Sequence, residues 1–144
     1  MTKIYLILVS MILLTSCEKE DLFRWDDRGI TETEEDYHYY PSPVFDVIAP
    51  ASVKLGDTVL ITVRSQGNSG CAEFSSFRQS QSGRSTLNIQ AIQKIPVDAI
   101  CTMALITLNS KYEFIPETRG KHTINFWRGE LHEYDFVTME INVR

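Results

Sequence analysis

Residues 58–64 read Thr58-Val59-Leu60-Ile61-Thr62-Val63-Arg64, and every second side chain, Val59, Ile61 and Val63, is apolar and β-branched. A strand sends successive side chains to opposite faces, so this spacing predicts a half-buried strand. β-branched residues suit its pleated surface. The same period recurs downstream. Residues 86–93 alternate through Leu87, Ile89 and Ala91, and residues 121–128 set Ile124 and Phe126 against Thr123, Asn125 and Trp127. Residues 134–143 align Val137, Met139, Ile141 and Val143 on one face. Shorter segments at 44–49, at 71–78 with Phe74 and Phe77, and at 103–108 complete the set. Turn residues separate them: Pro50, 53–57, 66–70, 79–83, Pro96 and Gly120. No segment holds a helical period for three turns. About seven short strands in roughly 100 residues predict an all-β, antiparallel sandwich, with a closed barrel as the other arrangement of such strands.

Within this body, residues 54–63 (Lys54-Leu55-Gly56-Asp57-Thr58-Val59-Leu60-Ile61-Thr62-Val63) resemble the opening of bacterial immunoglobulin-like domains, where a Gly-Asp turn precedes an alternating strand. Residues 120–126, Gly120-Lys121-His122-Thr123-Ile124-Asn125-Phe126, are similar to the penultimate strand of those domains. His122 stands where they carry a tyrosine, so no tyrosine corner is implied. The positions of Cys71 and Cys101 also depart from the antibody arrangement. The resemblance implies an immunoglobulin-like sandwich over residues 44–144 and transfers no functional residue.

The N-terminus has a different character. Residues 1–16 open with Met-Thr-Lys, continue through the apolar run 4–14 and reach Thr15-Ser16 before Cys17. A positive start, a short apolar core and small residues before a cut have the layout of a secretory signal peptide. The run is too short to span a bilayer, which takes about 20 residues. Leu14-Thr15-Ser16-Cys17 resembles the lipobox of bacterial lipoproteins. That resemblance implies diacylglycerol on the Cys17 thiol, cleavage before Cys17 and acylation of the new amino group. Two or three acyl chains hold a protein almost permanently, because each buried methylene contributes about 0.8 kcal/mol. The following Glu18-Lys19-Glu20-Asp21 looks like the export signal of surface lipoproteins, which assigns Lys19, Glu20 and Asp21 an address role; the alternative is a solvated spacer. The expected location is therefore the outer membrane, at the cell surface or on its periplasmic face.

Residues 17–43 read as an acidic, flexible tether that ends in Tyr37-His38-Tyr39-Tyr40-Pro41-Ser42-Pro43. From 18 to 36, nine acidic side chains oppose three basic ones, a net charge of −6, whereas 37–144 carry ten of each. A balanced body without a basic patch argues against a nucleic-acid partner. With Cys17 assigned to lipid, Cys71 and Cys101 form an even pair in an oxidising compartment, which predicts a disulfide.

Motifs that carry chemistry are sparse. His38, His122 and His132 show no metal-ligand spacing, so no metal or cofactor is expected, and His122 reads as a packed strand residue. No GxSxG or Cys-His arrangement is present, and an enzyme is not expected. The binding candidates are Trp127, Tyr112, Phe114 and the Tyr37–Tyr40 cluster as flat faces for a glycan or a protein anchor, and His132 in the loop 128–135; for the tyrosine cluster, covering the sandwich edge is the alternative. For Trp127, core packing is the alternative. The function these features suggest is a lipid-anchored envelope protein that presents a sandwich surface to a protein or glycan. A structural accessory subunit of an envelope complex, and a small hydrolase or hydrolase inhibitor, are the alternatives.

Overall fold

The computed structural model describes residues 36–129 and 136–144. Nine strands and no helix occur among them: β1 (Tyr37–Ser42), β2 (Val44–Ile48), β3 (Ser52–Val53), β4 (Val59–Gly67), β5 (Glu73–Ser82), β6 (Thr86–Pro96), β7 (Ile106–Phe114), β8 (Gly120–Trp127) and β9 (Phe136–Val143). The expected signal peptide, Cys17, Lys19, Glu20, Asp21 and His132 lie outside the described residues.

Two sheets form a sandwich. The smaller has the order β2-β4-β7, and the larger runs β1-β6-β8-β9-β3 with β5 also on β6. β5 pairs with residues 86–94 along one edge of β6. The other edge is shared end to end, β8 taking residues 86–89 and β1 residues 91–96. At the sides, β2 lies against β9 and β5 against β7.

The alternating side chains meet between the sheets. Val59, Ile61 and Val63 of β4 pack with Ile89 and Ala91 of β6, Ile124 and Phe126 of β8, and Ile141 of β9. Leu87, Val137 and Met139 are partly buried at the margin of this core. Fully burying such a side chain contributes about 1.5–3 kcal/mol, so the alternation supplies most of the driving force for this fold.

Four features differ from the sequence expectation. The body starts at β1, not at residue 44. Tyr37–Ser42 pairs with β6 even though it contains Pro41, because β1 is an edge strand and can dispense with one row of N–H donors. A buried amide secures it: Gln93 Nε2 donates to the Pro41 carbonyl at 3.1 Å, and its Oε1 accepts from the Asn68 N–H at 2.9 Å. At Pro43 the chain crosses to the other sheet, where the Gln66 N–H donates to the Pro43 carbonyl at 2.9 Å.

Second, five of the seven strand pairings are antiparallel, but β6–β8 and β3–β9 are parallel. Between β6 and β8 the chain visits the other sheet as β7, so it returns in the original direction. Third, β5 continues through 79–82, where a turn was expected. Its hydrogen bonds come from β6, and the turn falls at Gly83, whose φ of 75° suits glycine. Finally, residues 103–105 are not strand; β7 starts at Ile106.

His122 is buried, as a packed strand residue should be. Its Nε2–H donates to the Thr118 carbonyl, four residues upstream, at 2.8 Å, and its ring meets Phe114 edge-on at 5.6 Å. It thereby ties strand to preceding loop as the tyrosine of an immunoglobulin corner does.

Candidate functional site

β6 runs between two chemically different ends of the sandwich. Its last residue, Pro96, pairs with Tyr37, and the Val97 N–H donates to the Asp36 carbonyl at 3.0 Å. The chain therefore enters the fold at this end. Cys71, after β4, and Cys101, after β6, are disulfide-bonded here with Cα atoms 5.5 Å apart, as the cysteine count predicts. Thr86, at the start of β6, lines a cleft at the opposite end. An eleven-residue strand rising about 3.3 Å per residue separates the two ends by roughly 30 Å.

The cleft has a volume of about 440 Å³, within the range of small-ligand sites. The β5–β6 turn, the end of β7 and the start of β8 form it. Gln79, Arg84, Tyr112, Phe114, Glu117 and His122 are among its lining residues. Tyr112 donates its hydroxyl to Gln79 Oε1 at 2.6 Å. The Arg84 side chain has no hydrogen-bond or ion-pair partner among the described residues.

Tyr112 and Phe114 are not surface stacking faces. The alternation of β7 turns both inward, leaving 7% and 5% of their surface exposed. Tyr112 meets Phe77 and Phe126 edge-on at 5.3 and 6.1 Å. The Tyr112 hydroxyl is held by Gln79, another residue of the cleft lining. Burial pushes the Tyr112 phenol above its ordinary pKa of 10.0. The raised value means that the stability due to the neutral phenol is fully present below pH 10. It is lost as pH rises through the folded-state pKa. Tyr112→Phe is expected to remove that alkaline loss, which urea titrations at pH 9 and pH 11 would measure. An unchanged pH dependence would dissociate it from this residue.

Trp127 is a different case. It occupies the outer face of the larger sheet, partly exposed, opposite Phe136 in the β8–β9 register. Beside it runs a polar ladder across three strands: Thr138 Oγ1 donates to Asn125 Oδ1 and Asn125 Nδ2 to Asn88 Oδ1, both at 2.9 Å. The structure thus keeps Trp127 and Tyr112 on opposite sides of one sheet. The cleft itself was not foreseen. Its polar residues lie in turns and strand ends, where sequence alternation carries no signal. No three His, Cys, Asp or Glu side chains are arranged to hold a metal ion among the described residues.

These features define a small two-sheet β-sandwich with its loops gathered at two ends. Residues 61–138, 78 of the 144 in the chain, match the ORF11 beta-sandwich domain, and the chain belongs to that family. The match runs from β4 into β9. No curated protein and no solved structure matches the chain.

Proposed function

We propose that this protein is a non-enzymatic, lipid-anchored module of the outer membrane whose sandwich presents a binding site at the end remote from its tether. The single observation that carries the reading is axial: the chain enters beside Val97, and the cleft opens about 30 Å away at the other end of β6. The Cys71–Cys101 disulfide supports an exported location, since such bonds persist in oxidising compartments. The two buried titratable side chains at the cleft, His122 and Tyr112, are both engaged by hydrogen bonds within the fold. His122 directs Nε2–H at a carbonyl, and the Tyr112 phenol holds its proton above its usual range. Amides, hydroxyls, carboxylates and one cation line the cleft, as in Gln79, Gln81, Thr86, Glu117 and Arg84. That set suits a ligand recognised by hydrogen bonds, and a short glycan segment is the class we assign.

The partly exposed Trp127 beside the Asn88–Asn125 ladder supports a second reading, in which the outer sheet face takes the glycan. A glycan array with the purified protein separates the two. Arg84→Ala lies on an exposed turn and is expected to change stability by less than about 0.5 kcal/mol. It should still weaken capture at least tenfold on the array. Loss of capture in Trp127→Ala but not in Arg84→Ala would move the site to the sheet face, and capture unaffected by both would reject the binding reading.

A further inference from the structure

The loop between β6 and β7 exposes apolar side chains that a folded domain normally covers. Ile100 and Met103 are fully exposed, Leu105 largely so and Val97 by 41%, and Ala99 and Ala104 are exposed as well. Asp98 is the only charge between residues 97 and 105. Contiguous apolar exposure of this kind marks a contact surface. The loop backbone is nevertheless pinned. Cys101 is bonded to Cys71, the Thr102 carbonyl accepts from the Gly70 N–H at 2.9 Å, and Val97 is tied to Asp36. Ile100 and Met103 flank the tied pair 101–102, so they project from an ordered support, and little conformational entropy is left to lose on contact.

We infer that residues 97–105 form a lipid-inserting wedge, which seats this end of the sandwich on the bilayer that holds the anchor. The inference rests on the anchor reading of Cys17. What selects a bilayer as the occupant is where the outlying chain ends. The twenty residues from Cys17 to Asp36 finish against Val97, on the apolar loop itself. Such a segment reaches at most about 65 Å, so the anchor keeps this end of the body close to the membrane. Tethering raises the effective concentration of the surface seen by the loop, so weak insertion becomes populated. The net charge of −6 over residues 18–36 offers no attraction to anionic headgroups, so apolar contact supplies the affinity. The wedge and the cleft occupy opposite ends, and seating the first orients the second outward.

The test uses the full-length processed protein reconstituted in phosphatidylcholine vesicles whose acyl chains carry bromine, a short-range quencher of indole emission. Met103→Trp adds one indole on the exposed loop, and the parent protein supplies the background of Trp25 and Trp127. Quenching of the added emission is expected, and the further changes Ile100→Ser and Leu105→Ser should reduce the inserted fraction on the order of tenfold. Intact mass reads the anchor separately. If Cys17 carries lipid and the added indole stays unquenched with water-like emission, the wedge is refuted and the anchor stands. If Cys17 carries none, the anchor reading fails, and quenching of the free protein mixed with the same vesicles decides the wedge alone. A blue-shifted but unquenched indole also overturns the lipid assignment. Concentration dependence would then name a second copy as the cover, and loss of the shift on deleting residues 18–35 would name this chain's own segment.

Discussion

Phe126→Ala is expected to cost about 3–5 kcal/mol, while Trp127→Ala, one residue further on, costs about 1 kcal/mol. Phe126 has no exposed surface and sits between the sheets, edge-on to Tyr112 at 6.1 Å. Removing its ring leaves a cavity in the core cluster it shares with Ile61, Ile89, Ile124 and Ile141, all fully buried and on strands whose hydrogen bonds resist collapse. Domains of this size are stable by about 5–15 kcal/mol, so the loss is a large share of the total. Trp127 lies on the opposite face and leaves no enclosed void. Urea titration of both variants measures the contrast. Equal costs would mean that Trp127 is also a core residue, and the assignment of an outer face to it would fall.

Opening the disulfide is the second large effect. Cys71 and Cys101 are 30 residues apart in sequence, and closing such a loop stabilises a fold by about 3–4 kcal/mol on the chain-entropy model. For a body of this size, the Cys71→Ser/Cys101→Ser protein should melt on the order of 15 °C lower than the parent. The wild type in excess reductant should reproduce the shift. Circular dichroism at a strand wavelength reads both. A change of only a few degrees would mean that the Gly70–Thr102 hydrogen bond and packing already hold the two loops together. The variant also bears on the apolar loop. Without the bond, Ile100 and Met103 lose their fixed support, so bromine quenching should weaken in the same protein.

The placement of β1 alters how a tether deletion is designed. A deletion that runs into residues 37–42 removes the strand that closes β6 and withdraws the acceptor of the Gln93 amide. A deletion that leaves the fold intact must stop at residue 35. The tyrosines at 37–40 read either as the end of a tether or as a cover for the sandwich edge, and β1 is the second; the sequence leaves both open because strand pairing depends on a partner some fifty residues away, which no local period reveals. One of their roles is visible in the fold: the Lys94 ammonium lies 4.4 Å from the Tyr37 ring centre, a contact between β1 and β6.

The sequence by itself determined which side chains face inward along the regular strands. Val59, Ile61 and Val63, Ile89 and Ala91, Ile124 and Phe126, and Ile141 are all in the core, because a period of two is a local property of the chain. It also determined the cysteine pairing, since two cysteines in one body leave a single intramolecular connection. Only the tertiary structure decided which strands are neighbours, and with that the parallel β6–β8 pair, the edge strand β1 and the two-residue β3. It alone decided the fate of apolar residues outside the alternation. Tyr112 and Phe114 were read as surface aromatics and are enclosed, whereas Met103 and Leu105 were read as strand and stand in solvent. The physical reason is the same in both cases: hydrophobicity states what a side chain gains by burial, and only the packing of distant segments supplies something to bury it against.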